Sequence, residues 1–368
     1  MSSVRTSCPV LLLRGSASLQ PNYSTRLSQD ANDHPRRDAP LQRRRSLVEL
    51  PKAHLHVHLT GMMRPHTLAE LASRHDVAVP APVEDYPNFD EFVRAYRAAR
   101  SVLHTTEELA RLVEEMVEDA AEDGAVWIEP SLSLRGYRPI TGGDQDTLQV
   151  VLDAARQASE RFGTGVGVIV AAERGDDPVE AERAAVVAGE YADRGVVGFG
   201  LGGDERHPPS GFARAFAFAR ESGLLSVPHA GELDGPQSIR ATLEQLSPHR
   251  ILHGVRAAED SQLVEQLHEQ QVCLDVCPSS NRALGVTPDL AAHPLPTLVR
   301  AGVACSINTD ATLPFRTTLA REYELCRAQL GLTDHELADV ARASLRASAA
   351  PAQLASTAIH AIDTWISR

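Results

Sequence analysis

Lysine is nearly missing from this chain: Lys52 is the single lysine, and every other residue among its 36 basic side chains is arginine. A two-metal barrel hydrolase bridged by a carboxylated lysine needs that side chain at a mid-barrel strand end. Lys52 precedes the first candidate strand, so such a bridge is excluded. Cysteine is sparse: Cys8, Cys273, Cys277, Cys305 and Cys326 are odd in number and form no C-x-x-C pair. That speaks against a disulfide framework and a cysteine zinc knuckle, and points to a reducing cytoplasm. Cys273 and Cys277, evenly spaced within a candidate strand, read as buried, apolar-like thiols. Aromatic residues make up 4%, and 24 Gly with 23 Pro give no collagenous or low-complexity signature. No run reaches the roughly eighteen apolar residues of a membrane span. Positive charge is in deficit too, 49 acidic residues against 36 basic giving −13, which makes a phosphate-tracking nucleic-acid binder a poor first guess and suits a soluble enzyme. Oligomeric state is not legible here.

What is present is a core: 368 residues, 43% of them hydrophobic, suffice for one large α/β barrel. Residues 1–45 differ from the rest, with eight Arg and three Asp for a net of +5, leaving −18 for the remainder. The run from Val10 to Leu13, closed by Arg14, is too short for a signal-peptide core. We read 1–45 as a disordered extension or an over-long start assignment. A targeting peptide is the other reading, because no acidic residue precedes Asp30. Residues 46–368 read as one barrel domain. Apolar, β-rich runs at 53–59, 125–129, 165–172, 196–201, 224–229, 250–254, 272–277 and 303–309 alternate with stretches of helical period such as 107–121 and 177–192. Eight such units predict a (β/α)8 TIM barrel, with residues 64–123 inserted as extra helices after the first strand. A doubly wound sheet is the alternative. Its dinucleotide signature is only approached, at Gly198 to Gly203, and runs into Asp204-Glu205.

His54, His56 and His58 alternate with Leu55 and Val57, so on a strand the three imidazoles share one face. An H-x-H on a barrel strand is a metal-site signal, and His56 and His58 lie nearer the C-terminal end, where barrel active sites form. His229 closes the fifth run, and Ala230-Gly231 allows the sharp turn that sets Glu232 over the mouth. His253 ends the sixth run and Asp310 the eighth. Three histidines and an aspartate make a one-metal zinc site with a place left for water, whose pKa zinc brings down to about 7. His253 and Asp310 can orient that water and take its proton, while Glu232 serves as an acid toward a substrate nitrogen. Neither H-E-x-x-H nor P-C-x-x-C occurs, so metalloprotease and cytidine-deaminase zinc sites are unsupported.

These residues resemble the adenosine deaminase family, the one-metal branch of the amidohydrolase barrels. The resemblance covers about residues 50–347. It rests on Pro51 to Leu59, the stretch ending Gly203-Asp204-Glu205, His229-Ala230-Gly231-Glu232, Leu252-His253-Gly254, Cys277-Pro278-Ser279-Ser280-Asn281 and Ser306-Ile307-Asn308-Thr309-Asp310. It implies one Zn2+ per chain on His56, His58, His229 and Asp310. Glu232 would protonate the purine ring nitrogen, His253 would position the attacking hydroxide, and Gly203 would offer its N–H to a far ring nitrogen. His58, Thr60 and Ala311 stand with Gly203 at substrate-reading positions. Two of them depart from the family pattern: Thr60 replaces the acidic residue that holds the ribose hydroxyl, and Ala311 replaces an aspartate bonded to the imidazole-ring nitrogen. Each lost hydrogen bond costs about 1–3 kcal/mol. The implied activity is hydrolytic deamination of a 6-aminopurine nucleoside or base, adenosine to inosine and ammonia first. The alternatives are another aminated heterocycle, such as a deazapurine nucleoside, and a non-catalytic purine binder. Inserted helices around residues 89–102 are expected to form the pocket wall. Met62-Met63 is expected to line it or simply to pack. The remaining histidines, His293 among them, and the acidic run Glu114, Glu115, Glu118, Asp119 read as surface or helix-face residues.

Overall fold

In the first strand, β1 (Lys52–His58), alternate side chains point to opposite faces. Ala53, Leu55 and Val57 join the main hydrophobic core, while His54, His56 and His58 turn inward. The same alternation organises β2 (Ala125–Leu132), β3 (Val168–Glu173), β4 (Val196–Gly202), β5 (Leu225–Ala230), β6 (Arg250–His253), β7 (Cys273–Val276) and β8 (Cys305–Ile307). All pair in parallel in sequence order. Between β8 and β1 the ring closes through His58 N–H to the Asp310 carbonyl, 2.8 Å, and Asp310 N–H to the His56 carbonyl, 3.0 Å. The fold is therefore the (β/α)8 barrel expected from the eight runs. This computed structural model describes residues 44–81 and 83–368. The expectation of a disordered extension lies, up to residue 43, outside the described residues. Arg45–Arg368 forms a single compact unit, with Arg45 bonded to the Trp365 and Ile366 carbonyls and to Asp334.

The third run is broken at Gly167, leaving Gly165–Val166 as a separate short strand. A Cβ at Gly167 would lie 2.7 Å from Val197 and 2.8 Å from the Trp127 ring, so the kink makes room for that ring. The eighth run yields only three strand residues. Beyond it, Asn308 turns inward, its Oδ1 accepting from the N–H groups of Leu55 and His56 at 2.7 and 3.2 Å.

Three helices separate β1 from β2: α1 (Pro65–His75), α2 (Phe89–Arg100) and α3 (Thr106–Glu122). Helix α3 starts on a Thr105/Glu108 capping box and buries Leu109, Leu112, Val113, Met116, Val117 and Ala120 at helical spacing. The acidic run on α3 corrects the sequence expectation. Glu115 is buried and accepts from Thr67 Oγ1 at 2.7 Å, while Glu118 and Asp119 hold Arg64. Met62 and Met63 pack in the core. Cys273, Cys277, Cys305 and Cys326 are buried free thiols. Lys52 is the first residue of β1, its Nζ donating to the Leu47 and Leu50 carbonyls. Among the described residues no helix is long and apolar enough to cross a membrane.

The barrel interior is layered. Near the strand starts, Arg250 donates to Glu129 (2.6 Å) and Asp275 (2.8 Å), all three closed to solvent. Ile169, Val227 and Leu252 form a small apolar cluster. The imidazoles end the strands above it.

Candidate metal and catalytic site

His56 and His58 come from β1 and His229 from the end of β5. His58 Nε2 lies 3.1 Å from His229 Nε2. A backbone carbonyl can only accept, so the contacts of His56 Nδ1 with the Asp275 carbonyl (3.0 Å) and of His229 Nδ1 with the Leu201 carbonyl (2.9 Å) place the proton on Nδ1 in both rings. Their Nε2 lone pairs then face inward, the usual arrangement of metal-binding imidazoles with an outer hydrogen-bond partner. His56 Nε2 is buried without a partner. His58 Nδ1 meets Ser131 Oγ at 3.0 Å. Asp310 Oδ1 stands 3.4 Å from His58 Nε2 and 3.8 Å from His56 Nε2, and its Oδ2 accepts from Ser280 Oγ at 2.7 Å. Burial holds His56, His58 and His229 below the ordinary histidine range, in their neutral form. Neutral lone pairs converging on a buried carboxylate fit a tetrahedral divalent ion with three nitrogens and one oxygen. His54 is set apart, bonded to Thr309 Oγ1 at 2.9 Å.

Two non-glycine residues pay for this convergence in backbone strain. His253 (φ 64°) and Asp310 (φ 62°) are left-handed, a conformation retained at functional sites when the surroundings enforce it. Gly231 (φ 71°) makes the turn to Glu232, and a Cβ there would meet Ile239 at 2.4 Å. Glu205 fixes that turn, accepting from the N–H groups of Gly231 and Glu232, both at 2.9 Å, and from Ser238 Oγ at 3.0 Å. Glu232 Oε1 is 3.3 Å from His253 Nε2. Burial, then the nearby charges of Asp310 and Glu205, push the Glu232 carboxyl well above its usual range, which favours the protonated form of an acid that can give up a proton.

A side-chain relay fixes the His253 tautomer. Leu295 N–H donates to His293 Nδ1 (3.1 Å), so His293 Nε2 carries a proton and donates to Asn281 Oδ1 (3.3 Å). Asn281 Nδ2 in turn donates to His253 Nδ1 (3.2 Å), leaving the His253 proton on Nε2, facing Glu232 and Asp310. His293 is thus no surface residue: it is buried behind the site. Sequence reasoning missed it because only tertiary contact links it to Asn281.

The cavity over these groups has a volume of about 440 Å³; its walls include His58, Gly203 and, from α2, Phe89, Phe92 and Tyr96. Thr60 and Ala311 are not brought onto that wall. Thr60 Oγ1 lies against Tyr137 OH at 2.7 Å. Ala311 packs against Gly61, where a Cβ would come within 2.4 Å of its own. The structure adds Glu173 to the wall. The third run was read as ending at residue 172, one short of the strand end where barrel sites are built.

The model of the adenosine deaminase family matches residues 51–365. A Streptomyces coelicolor protein provisionally assigned as adenosine/adenine deaminase is 44% identical over 341 residues, covering 89% of this chain and 99% of that one. The aminodeoxyfutalosine deaminase of Acidothermus cellulolyticus is 38% identical, covering 80% and 86%. Among solved structures, the adenine deaminase of Arthrobacter aurescens superposes with a TM-score of 0.80 at 27% identity, over 86% of this chain and 99% of that one. With its barrel, its His and Asp cluster and a family match across nearly all of the described residues, the chain belongs to the adenosine deaminase family.

Proposed function

We propose that this chain is a zinc-dependent aminohydrolase that replaces the exocyclic amino group of a 6-aminopurine, nucleoside or base, with oxygen and releases ammonia. Adenosine to inosine is the reaction first implied. The observation that carries the reading is the juxtaposition of three imidazoles and Asp310 with a second buried carboxyl, Glu232, whose surroundings favour its protonated form. We read the substrate as a small molecule, the setting as cytoplasmic, and residues 46–368 as the catalytic domain.

His56, His58, His229 and Asp310 would hold the zinc, which when bound supplies the Lewis acidity that lowers the pKa of water to about 7. Asp310 Oδ2, steadied by Ser280 Oγ, takes the proton of the attacking water. His253 cannot accept at Nε2 while the relay keeps a proton there. It donates instead, stabilising negative charge as it forms on the oxygen. Glu232 passes its proton to the ring nitrogen beside the attacked carbon, so that the ring does not carry the added electron pair as a charge. Ammonia leaves with the proton that Asp310 took from the water, the proton given by Glu232 stays on the ring nitrogen of the product, and the hydroxyl proton released as the carbonyl forms restores the Glu232 acid.

The test is ammonia release by the zinc-loaded protein from adenosine, deoxyadenosine, adenine, deazaadenosines, guanine and pterins. Turnover of a 6-aminopurine with about one zinc per chain is expected. Turnover confined to guanine or a pterin overturns the purine assignment, and zinc binding with no ammonia from any of them overturns the enzymatic one.

A further inference from the structure

One acidic group at the mouth has no use in the reaction above. Glu173 ends β3 on the inward face, its register partner being Gly202 of β4. It is half-buried, with its free surface on the cavity. Among the described residues no donor bonds its carboxyl and no cation pairs with it. Arg97 and Arg100 stand on the same cavity wall, also without an ion-pair partner there, and their charges favour the carboxylate over the acid. Burial, and after it the charge of Asp176, opposes them and outweighs them, pushing the group up to about 7.

Gly203 is its neighbour. With φ at 89°, a Cβ on Gly203 would lie 3.3 Å from Glu173 Oε2 and 3.2 Å from the Arg174 nitrogen, so glycine alone lets the two groups meet. Among the described residues no backbone carbonyl takes the Gly203 N–H. Strands β3, β4 and β5 are adjacent in that order. Around the mouth they therefore present the acid of Glu232 after β5, the N–H of Gly203 after β4 and the carboxylate of Glu173 at the end of β3. That is donor, donor, acceptor. The edge of an unsubstituted 6-aminopurine offers the complement in the same order: N1 and N3 as acceptors, then N9–H as donor. A nucleoside has no hydrogen on N9.

Resting on the deaminase reading of the mouth, we propose that Glu173 is the specificity residue of this site, accepting the N9–H of a free 6-aminopurine base whose N3 takes the Gly203 N–H. The site then selects the free base over its nucleoside. A site built to bond a donor leaves a buried group unpaired when the donor is missing, which penalises the analogue.

The experiment compares kcat/KM for adenine, 9-methyladenine and adenosine on the unaltered zinc enzyme, then on Glu173→Leu and Glu173→Gln with matched Tm and zinc content. Adenine is expected to exceed 9-methyladenine by about a hundredfold or more. Glu173→Leu is expected to narrow the adenine-to-adenosine ratio at least tenfold, and Glu173→Gln, which keeps an acceptor, to narrow it less. Equal turnover of adenine and its 9-methyl derivative overturns the proposal. So does a larger loss for adenosine than for adenine in Glu173→Leu, which would put the carboxylate on the sugar hydroxyls. If no aminopurine is deaminated, the deaminase reading fails by itself, and calorimetry with hypoxanthine against 9-methylhypoxanthine still decides Glu173. Tighter binding of hypoxanthine supports the assignment and equal binding overturns it.

Discussion

The floor and the mouth of this barrel bury the same kinds of group and treat them in opposite ways. On the floor, Arg250 donates to Glu129, Asp275 and the Ala347 carbonyl. Glu129 also accepts from Trp127 Nε1 at 2.8 Å, and Asp275 from Ser306 Oγ at 2.6 Å. Every charge there is answered by another. At the mouth, His56 Nε2 and Glu232 Oε1 are buried with no partner, and His253 and Asp310 hold a strained backbone. Buried polar atoms left unpaired cost free energy, so an imidazole nitrogen and a carboxyl oxygen left open beside two strained residues mark where something from outside completes them. The difference teaches that burial of charge is not in itself a functional sign; at this mouth the sign is polar atoms left open beside a strained backbone.

The comparison can be broken at either end. The largest effect is expected from Glu232→Gln, which keeps the shape but removes the transferable proton. Steady-state assays should show kcat down by about 10²–10⁴, with a Tm no lower than that of the parent. Glu129→Ala should do the reverse. Removing one of the two carboxylates paired with the buried Arg250 costs about 3–5 kcal/mol, seen as a lower urea midpoint, while kcat per folded molecule stays within a few-fold. If Glu129→Ala abolished turnover of the folded protein, the floor would belong to the site after all. Stripping the metal with a chelator should remove activity and lower Tm, since an ion present at a thousandfold excess over its Kd stabilises by about 4 kcal/mol. Scanning calorimetry before and after zinc is returned checks both. Asn281→Leu, which cuts the relay behind His253, should reduce kcat about tenfold and leave KM nearly unchanged. The smallest effect belongs to Thr60→Val: about 1 kcal/mol of stability from the lost Tyr137 contact, with kcat/KM for adenine within about threefold. A large KM change there would put Thr60 back among the substrate-reading residues.

The strand runs were legible because the alternation of side chains on β1 is written directly into Leu55, Val57 and the histidines between them. The candidate metal donors were legible for a related reason: they lie at or close to the ends of strand runs, and barrel strands end at one face. Glu115 and His293 were misread. Their burial depends on Thr67 and Asn281, which are remote in sequence, and neither spacing nor composition reports a contact of that kind. Thr60 illustrates the opposite error: its place after β1 suggested contact with substrate, and its hydroxyl is taken up by Tyr137.

By itself the sequence determined which side chains share a strand face, where the sharp glycine turns fall and that no lysine is placed to bridge two metals, because these follow from local geometry and residue type. Only the tertiary structure decided which of those groups find partners. It left the lone pairs of His56 and the carboxyl of Glu232 open, handed His253 its tautomer through Asn281 and His293, and set Glu173 against Gly203. Hydrogen-bond satisfaction and desolvation depend on neighbours that only the closing of the barrel brings within reach.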